Sequence, residues 1–315
     1  MRILFTADYH IKLGQKNVPY DWAVNRYSMF FALLSSIESE CDLHIIGGDL
    51  FDRMPTIAEL NIYFSFISNV TIPTLIFDGN HEATKKNKTF FTELAEISAR
   101  INPLVKVYDT VVEENDFTIL PYCDIHKKGI FDTLNKNKPL FTHVRGEIPP
   151  HVKPEIDLAL LEDFPIVFAG DLHSHSNTQL NIVYPGSPMT TSFHRSIVDT
   201  GYIIIEDDFS WKWYKFPELP QLIRKTVTNP NDMIATDFHH TIYELEGDMQ
   251  DLASVENSEL LDKKLVKRNT EATLVITKEM TIQDELVEYL SYILSISEDK
   301  IPDIIGIFND YTKRA

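Results

Sequence analysis

The chain has 315 residues, of which 43% are hydrophobic, so it can form one large domain with an appendage or two domains. Its 29 basic and 47 acidic residues give a net charge of −18. This charge argues against a protein that binds nucleic acid through a broad basic surface. The negative charge does not exclude a phosphodiester substrate, because bound cations would offset the charge of acidic metal ligands.

The sequence also indicates a reduced, cytoplasmic protein that does not enter a membrane. No apolar run approaches the length of a membrane span, and Asp8 and His10 interrupt the apolar N-terminal stretch, unlike in a signal peptide. The two cysteines, Cys41 and Cys123, have neither the spacing of metal ligands nor that of a redox pair.

Short aliphatic or β-branched runs predict buried strands in the first half of the chain. Five of them precede polar motifs: Arg2–Thr6, Leu43–Ile46, Thr74–Phe77, Pro139–Phe141 and Ile166–Ala169. Apolar residues at helical spacing predict the intervening helices, which are residues 23–37, Thr56–Ser68 and Thr89–Ala99. This alternation predicts an α/β first half.

Downstream of the fifth run the pattern changes to strands, which predicts a second β layer. These strands are Asn181–Tyr184, Gly201–Glu206 and Trp211–Phe216, with residues 207–208 as the hairpin turn between the last two.

A proline-rich break at residues 217–220 predicts a domain boundary. Residues 1–220 would form the α/β domain, and residues 221–279 a small α+β cap with strands at His239–Leu245 and Ala272–Ile276. Residues 280–315 would hold two helices, the second of which begins near Pro302.

A polar motif follows each of the five strands. The motifs are Asp8-Tyr9-His10, Gly48-Asp49-Leu50-Phe51-Asp52, Gly79-Asn80-His81-Glu82, Thr142-His143 and Gly170-Asp171-Leu172-His173. If the strands lie side by side, every motif reaches one edge of one sheet, where open α/β sheets place their sites. Converging carboxylates, imidazoles and an amide are the ligands expected for two divalent metal ions.

Each motif offers specific chemistry. Asp8 and His10 are two residues apart and can share one metal ion. The glycines before Asp49 allow close approach to a cation, and its two oxygens can bridge two ions. The amide oxygen of Asn80 is an acceptable ligand for a hard cation. His81 would then face the reacting phosphate, as an acid or as a stabiliser of charge.

Several positions have two interpretations on residue type alone. Asp52 either accepts the ring N–H of His81 or caps a helix. His143 is either a metal ligand or structural. The final pair of ligands is either Asp171 and His173 or His173 and His175, and the glycine directly before Asp171 favours the first pair.

Basic residues near the motifs are candidates for contacts with substrate. Lys85 and Lys86 follow the His81 motif and would either meet a DNA backbone or lie in a solvated loop. Arg145 would either pair with a phosphate or form a structural ion pair.

Together, the motifs resemble the signature of the calcineurin-like metallophosphoesterases over roughly residues 1–215. Within that family the chain is most similar to the SbcD-type nucleases, which include recombination endonuclease subunits of tailed bacteriophages. The segment Tyr184-Pro185-Gly186-Ser187-Pro188-Met189 supports this similarity. The resemblance implies an αββα sandwich of two mixed sheets, followed by a small α+β cap and C-terminal helices.

The resemblance also implies roles for the site residues. The first metal ion would be held by Asp8, His10, Asp49 and His173, and the second by Asp49, Asn80, His143 and Asp171. His81 would be the catalytic histidine, oriented by Asp52. Manganese is the usual ion of the family. The family usually has a histidine where this chain has Asp171.

The implied function is that of a manganese-dependent DNA exonuclease and endonuclease, hydrolysing phosphodiester bonds with a hydroxide activated by two metal ions. The chain would be a subunit of an SbcCD-like complex in DNA recombination, repair and replication, in the host cytoplasm if phage-encoded. Residues 280–315 would bind an SbcC-type ABC ATPase. Homodimerisation, common in the family, is left open. The alternatives are a small-molecule phosphodiesterase or phosphatase of the same family, and a catalytically silent scaffold.

Overall fold

A computed structural model describes residues 1–85, 88–266, 280–294, 296–297 and 299–312 of the chain. The strands are β1 (Ile3–Thr6), β2 (Leu43–Gly47), β3 (Thr74–Phe77), β4 (Ala83–Lys85), β5 (Lys88–Thr89), β6 (Val105–Tyr108), β7 (Val112–Glu113), β8 (Thr118–Leu120), β9 (Leu140–His143), β10 (Val167–Gly170), β11 (Ile182–Val183), β12 (Gly201–Ile205), β13 (Trp211–Lys215), β14 (Leu222–Val227), β15 (His240–Gly247) and β16 (Leu261–Val266). The α-helices are α1 (Tyr20–Glu38), α2 (Ile57–Ser68), α3 (Phe91–Ile101), α4 (Tyr122–Ile125), α5 (Ile130–Thr133), α6 (Met249–Ser254), α7 (Ile282–Glu288) and α8 (Ile301–Thr312).

The chain divides into two compact units. The first consists of Met1–Leu245 and Val255–Lys264, and the second of Glu246–Ser254 and the chain from Leu265 onward. The polar motifs all belong to the first unit. Within the described residues, no helix is long and apolar enough to cross a membrane.

The first unit is built on two sheets. One has the strand order β13-β12-β1-β2-β3-β6, and the other has the order β11-β10-β9-β8-β7. Strands β1, β2, β3 and β6 run parallel, as do β8 to β11. Strand β12 lies beside β1 and is antiparallel to both β1 and β13. In the second sheet, β7 is antiparallel to β8. Both sheets are therefore mixed, as the αββα fold requires.

Aromatic side chains hold the two sheets face to face. Phe5 of β1 contacts Phe141 of β9 and Phe168 of β10, with ring centroids 5.4 and 5.9 Å apart. Phe141 and Phe168 also stack on each other at 5.1 Å. Because side chains alternate along a strand, Leu4 points to the opposite face, where α1 to α3 cover the sheet with side chains such as Phe30.

The structure corrects the predicted arrangement of the strands. The five motif-bearing strands do not lie in one sheet, since β9 and β10 belong to the second sheet. Strands β12 and β13, predicted to start a second layer, instead extend the first sheet. Their predicted hairpin is confirmed. A short apolar run identifies a buried strand but does not specify the strand beside it, so the sequence does not predict how the strands divide between the two sheets.

Smaller elements complete the description. Strands β14, β15 and β16 form a third sheet, and β4 and β5 form a hairpin. The predicted strand Ala272–Ile276 lies outside the described residues. The boundaries near residues 220 and 279 stay a prediction. In the second unit, α7 continues into a π-helical turn at Tyr289–Ile293, and Leu290, Ile301 and Ile305 form a small apolar core.

Candidate metal centre

The polar motifs converge where the carboxyl ends of strands from both sheets meet. Three overlapping groups of side chains each bring their ligand atoms within 4.8 Å of one another. The groups are Asp8 with His10 and His173, His10 with Asp49 and His81, and Asp8 with Asp49 and His143. Asp49 and Asp8 each belong to two groups, so the convergence is one continuous centre.

The first part of this centre lies between β1 and the loop after β10. The Nε2 atoms of His10 and His173 are 3.0 Å apart. Thr191 Oγ1 lies 3.0 Å from the other ring nitrogen of His173. Asp8 Oδ2 and His10 Nδ1 are buried and have no hydrogen-bond partner among the described residues. Buried polar atoms without a partner are costly, and a cation beside Asp8 and the Nε2 atoms of His10 and His173 would satisfy the Asp8 oxygen.

Asp49 lies in the middle of the centre. Its Oδ2 is 3.5 Å from His10 Nε2, and its Oδ1 is 3.5 Å from His143 Nε2. The Nδ1 of His143 donates to the Gly47 carbonyl oxygen at 2.9 Å, so Nε2 is the ring nitrogen that faces Asp49. One carboxylate with a different imidazole on each oxygen has the arrangement of a bridging ligand.

Asn80 adds an amide to the same place. Its Oδ1 is 3.0 Å from His143 Nε2, and the neighbouring Asp49 Oδ2 would lie 3.0 Å from the amide nitrogen if the amide were turned over. Two arrangements relieve this crowding of acceptors. Either the acceptors share a bound cation, or the Asn80 amide is turned so that its nitrogen donates to His143 Nε2 and to the Asp49 carboxylate. The oxygen-inward amide is the form that binds a hard cation.

Asp171 lies at the edge of the centre. Its Oδ1 is 3.8 Å from His143 Nε2, and its backbone N–H donates to Asp8 Oδ1 at 3.0 Å. Arg145 forms a two-point ion pair with its carboxylate, and a contact of Arg145 with phosphate stays a prediction. His175 turns away, because its Nδ1 donates to the Tyr184 carbonyl at 2.7 Å and its ring stacks on Trp213.

His81 is the exposed member, with 38% of its side chain accessible. Its backbone N–H donates to Asp49 Oδ1 at 3.0 Å, and its Nε2 lies 3.9 Å from Asp49 Oδ2. It faces an open cavity of about 440 Å³ that is also lined by Asp52, Asn80 and Phe90.

The predicted contact between His81 and Asp52 needs a correction. His81 Nδ1 donates to the backbone carbonyl of Asp52 at 2.6 Å, whereas the Asp52 carboxylate binds Lys12 Nζ at 2.7 Å. The alternative interpretation of Asp52 as a helix cap is wrong, since Thr56 caps α2. The ionic partner of Asp52 explains the difference, because the Lys12 ammonium binds the carboxylate strongly and the backbone carbonyl is left as the acceptor for His81.

Burial sets the electrostatics of the centre. It raises the pKa of Asp8 well above its usual value and lowers the pKa of His10 to about 3. Burial would also raise the pKa of Asp49, but the effects of His143, His10 and His81 together outweigh it and lower that pKa. Likewise, Asp49 raises the pKa of His143 against the effect of burial. A cation would take the place of these protons, because metal ligands must be deprotonated.

The backbone of the centre is strained. Asp8, His10, Asp49 and Asp171 have φ values of 60°, 46°, 51° and 99°, in the left-handed region that non-glycine residues rarely adopt. Close approach demands a glycine at position 79, where a Cβ would lie 2.2 Å from Asp49 Oδ1. Such strain persists only where the surroundings fix the backbone.

Glu82 fixes much of this backbone, although sequence reasoning gave it no role. It is fully buried and accepts the N–H groups of Asp49, Phe51 and Gly79 at 2.9, 2.8 and 2.8 Å. It therefore ties the loop after β2 to the loop after β3. Its place in the Gly79-Asn80-His81-Glu82 motif was the available signal.

Ser187 plays a similar part at the other side of the centre. Its hydroxyl donates to the Asp8 carbonyl at 2.7 Å, and its N–H donates to the His173 carbonyl at 3.1 Å. The serine of the Tyr184–Met189 segment thus joins two of the motifs. Lys85 is exposed on β4, and Lys86 lies outside the described residues.

The donor set fits divalent metal ions. Carboxylate, imidazole and amide atoms converge, some of them buried without partners among the described residues, and this mixture suits manganese, iron or zinc. The residues that meet at the centre are Asp8, His10, Asp49, Asn80, His143 and His173, with Asp171 beside them.

The comparisons with known proteins identify the family of the chain. Residues 1–163, just over half of the chain, match the calcineurin-like phosphoesterase family. The chain therefore belongs to this family of metallophosphoesterases, whose members bind divalent metals.

Among the relatives, the chain is 39% identical over 328 aligned positions to "Probable exonuclease subunit 1" of Escherichia phage T5, and the match covers 99% of each chain. It is 26% identical to protein 244L of Invertebrate iridescent virus 6, named as a phosphoesterase, over 73% of this chain and 83% of that protein. The crystal structure of TT1561 of Thermus thermophilus is 13% identical with a TM-score of 0.44, covering 68% of this chain and 98% of that chain.

We predict that Glu82→Gln loosens the centre, because an amide nitrogen would face at least one backbone N–H donor. The free energy of unfolding should fall by about 1–3 kcal/mol, measured by urea denaturation. Affinity for Mn²⁺ should fall as well, because Glu82 binds the N–H of Asp49. The control is Glu93→Gln on the exposed face of α3, expected to change stability by less than about 0.5 kcal/mol. Equal stability of the two variants would contradict the role of Glu82.

Proposed function

We propose that the chain is a manganese-dependent DNA exonuclease and endonuclease that hydrolyses phosphodiester bonds with two metal ions. The observation that carries this proposal is the position of Asp49, whose oxygens each face a different imidazole and the Asn80 amide. The full-length similarity to a phage protein named as an exonuclease subunit supports DNA as the substrate.

The proposal assigns the ligands to two positions. Asp8, His10, Asp49 and His173 hold the first ion. Asp49, Asn80, His143 and Asp171 hold the second. When bound, such ions generate a nucleophile from water and screen the negative charge of the phosphate. The protein orients the ligands, since Glu82 and Ser187 form hydrogen bonds with the backbone of Asp49 and Asp8.

His81 is assigned the proton-transfer role. Its Nδ1 is committed to the Asp52 carbonyl, so Nε2 is the nitrogen free to exchange a proton or to stabilise charge. The ring borders the open cavity, which is the side from which a phosphodiester can approach. Lys85 contributes a sequence-independent contact to the DNA backbone.

We predict that His81→Ala lowers Mn²⁺-dependent cleavage of an end-labelled linear duplex by about 10²- to 10⁴-fold, because proton transfer is lost. His151→Ala is the matched control, an exposed histidine away from the centre, and should act like the unaltered protein. Assays on nucleotides and phosphoproteins run in parallel. Faster turnover of those substrates than of DNA would favour the small-molecule phosphodiesterase or phosphatase, and unaltered cleavage by His81→Ala would exclude its assigned role.

We further predict that Asp171→Asn weakens the second Mn²⁺ site more than His175→Ala does. Asp171 has an oxygen beside His143, whereas His175 is bound to the Tyr184 carbonyl. Titration of Mn²⁺ into both variants measures the difference. Equal or reversed effects would reject the Asp171–His173 pair in favour of His173 and His175.

The proposed partner is an SbcC-type ABC ATPase that binds the helices of residues 280–315, in a complex for recombination and double-strand-break processing. These helices have a small core of their own, yet Ile282 and Ile307 remain 72% and 62% exposed. Exposed apolar side chains on short helices suit docking against a coiled coil or groove of a partner.

Removal of residues 280–315 should abolish association with the ATPase, measured by co-purification. The truncated chain should still hydrolyse a simple phosphodiester with Mn²⁺ as the unaltered protein does. The full-length double variant Ile282→Glu with Ile307→Glu should weaken the association too, because charge would be buried in the interface. Leu180→Glu, another exposed apolar position, is the control. Retained association of the truncated chain would refute the assignment.

A further inference from the structure

Arg145 and Asp171 form a paired unit at the edge of the metal centre. Arg145 Nε lies 3.0 Å from Asp171 Oδ2, and Nη2 lies 3.1 Å from Oδ1. Two parallel hydrogen bonds between a guanidinium and a carboxylate fix the plane of the carboxylate as well as its distance. The carboxylate is nearly buried, with 5% of the Asp171 side chain exposed.

The pairing leaves Asp171 able to face the centre. Its Oδ1, 3.8 Å from His143 Nε2, has a second lone pair beyond the one that Arg145 uses. The backbone of Asp171 is also held, since its N–H donates to Asp8 and its φ is 99°. Within the described part of the chain, Arg145 is the one hydrogen-bond partner of the Asp171 carboxylate, so the orientation of that side chain depends on it.

Arg145 is itself anchored independently of Asp171. Its backbone N–H donates to Glu155 Oε1 at 2.9 Å. The other oxygen of Glu155 accepts the Tyr122 hydroxyl at 3.0 Å. These contacts set the position of the arginine backbone, from which the partly exposed side chain reaches the Asp171 carboxylate.

Charge explains why such a support is needed here. The family that the motifs resemble usually has an imidazole at the position of Asp171, which can bind a metal while neutral. A carboxylate adds a third negative charge beside the buried Asp8 and Asp49. The positive charge of Arg145 offsets this negative charge. Its two parallel N–H groups also hold the side chain of Asp171, which is shorter than that of a histidine, in a defined orientation.

We propose that Arg145 is a positioning residue for the second metal ion, and that Arg145 and Asp171 together take the place of the usual imidazole. The inference rests on the proposed function, because it needs Asp171 as a ligand. It implies that the requirement for Arg145 exists only while position 171 is an aspartate.

A double-mutant cycle in the full chain tests this dependence. Calorimetric titration with Mn²⁺ alone, without DNA, compares the unaltered protein with Arg145→Ala, Asp171→His and the double variant. Arg145→Ala should weaken the second Mn²⁺ by about 10- to 100-fold, the usual cost of losing a partner that orients a ligand. In the Asp171→His background, Arg145→Ala should weaken the binding of the second Mn²⁺ by less than about twofold. Arg145→Lys keeps the positive charge but loses the two parallel hydrogen bonds. Its affinity for the second Mn²⁺ should therefore lie between those of the unaltered protein and Arg145→Ala.

Two controls test whether the effect is specific to Arg145 and its pairing with Asp171. Arg100→Ala, an exposed arginine on α3, should leave Mn²⁺ affinity unchanged. Unfolding without metal checks that each variant folds. If Asp171→His does not fold, Arg145→Lys beside the unaltered Asp171 decides, and Mn²⁺ affinity of that variant equal to that of the unaltered protein would overturn the proposal. Equal losses in both backgrounds would overturn the proposal. So would unchanged Mn²⁺ affinity with a raised KM for DNA, which would mean that Arg145 contacts phosphate directly.

The same titration distinguishes failure of the role of Arg145 from failure of the proposed function. Two Mn²⁺ ions bound by the unaltered protein, with Arg145→Ala indistinguishable from it, would remove only the role of Arg145. No Mn²⁺ bound by the unaltered protein would overturn the proposed function and the role of Arg145 together.

Discussion

The central constraint on this protein is the burial of carboxylates and imidazoles against one another. Asp8 and Asp49 are almost completely buried within reach of His10 and His143, and among the described residues part of the hydrogen-bonding capacity of Asp8 and His10 is unused. Removing such groups from water costs several kcal/mol unless opposite charge accompanies them. Divalent cations would satisfy the excess of lone pairs, so the metal centre and the stability of its loops are linked.

The fold produces this concentration of charge by bringing two sheets together. The stacked rings of Phe141 and Phe168 pack against Phe5, so the carboxyl ends of strands from both sheets point to one place. In the turns after these strands, several residues have φ values in the left-handed region. Hydrogen bonds from distant parts of the chain hold these turns in place. Glu82 joins two loops of the first sheet, and Ser187 joins the first motif to the last.

Local features of this architecture were predictable, and tertiary partners were not. Buried runs identified the strands, and the motifs identified most of the residues that the structure brings together, because period and spacing are local properties. The division of the strands between two sheets depends on distant pairing. The lysine partner of Asp52 and the arginine partner of Asp171 also lie outside any local pattern. The role of Glu82 was not predicted, because the sequence does not distinguish a buried acid that accepts backbone N–H groups from an acid on the surface.

The two-metal centre is tested most directly by a crystal structure of the full chain grown with Mn²⁺, with the ions located by anomalous scattering. We expect two manganese peaks on either side of Asp49, each bound by one of its oxygens, with the Asn80 oxygen on the ion nearer His143. A structure in which Asp49 or Asn80 points away from every ion would contradict the two-metal centre.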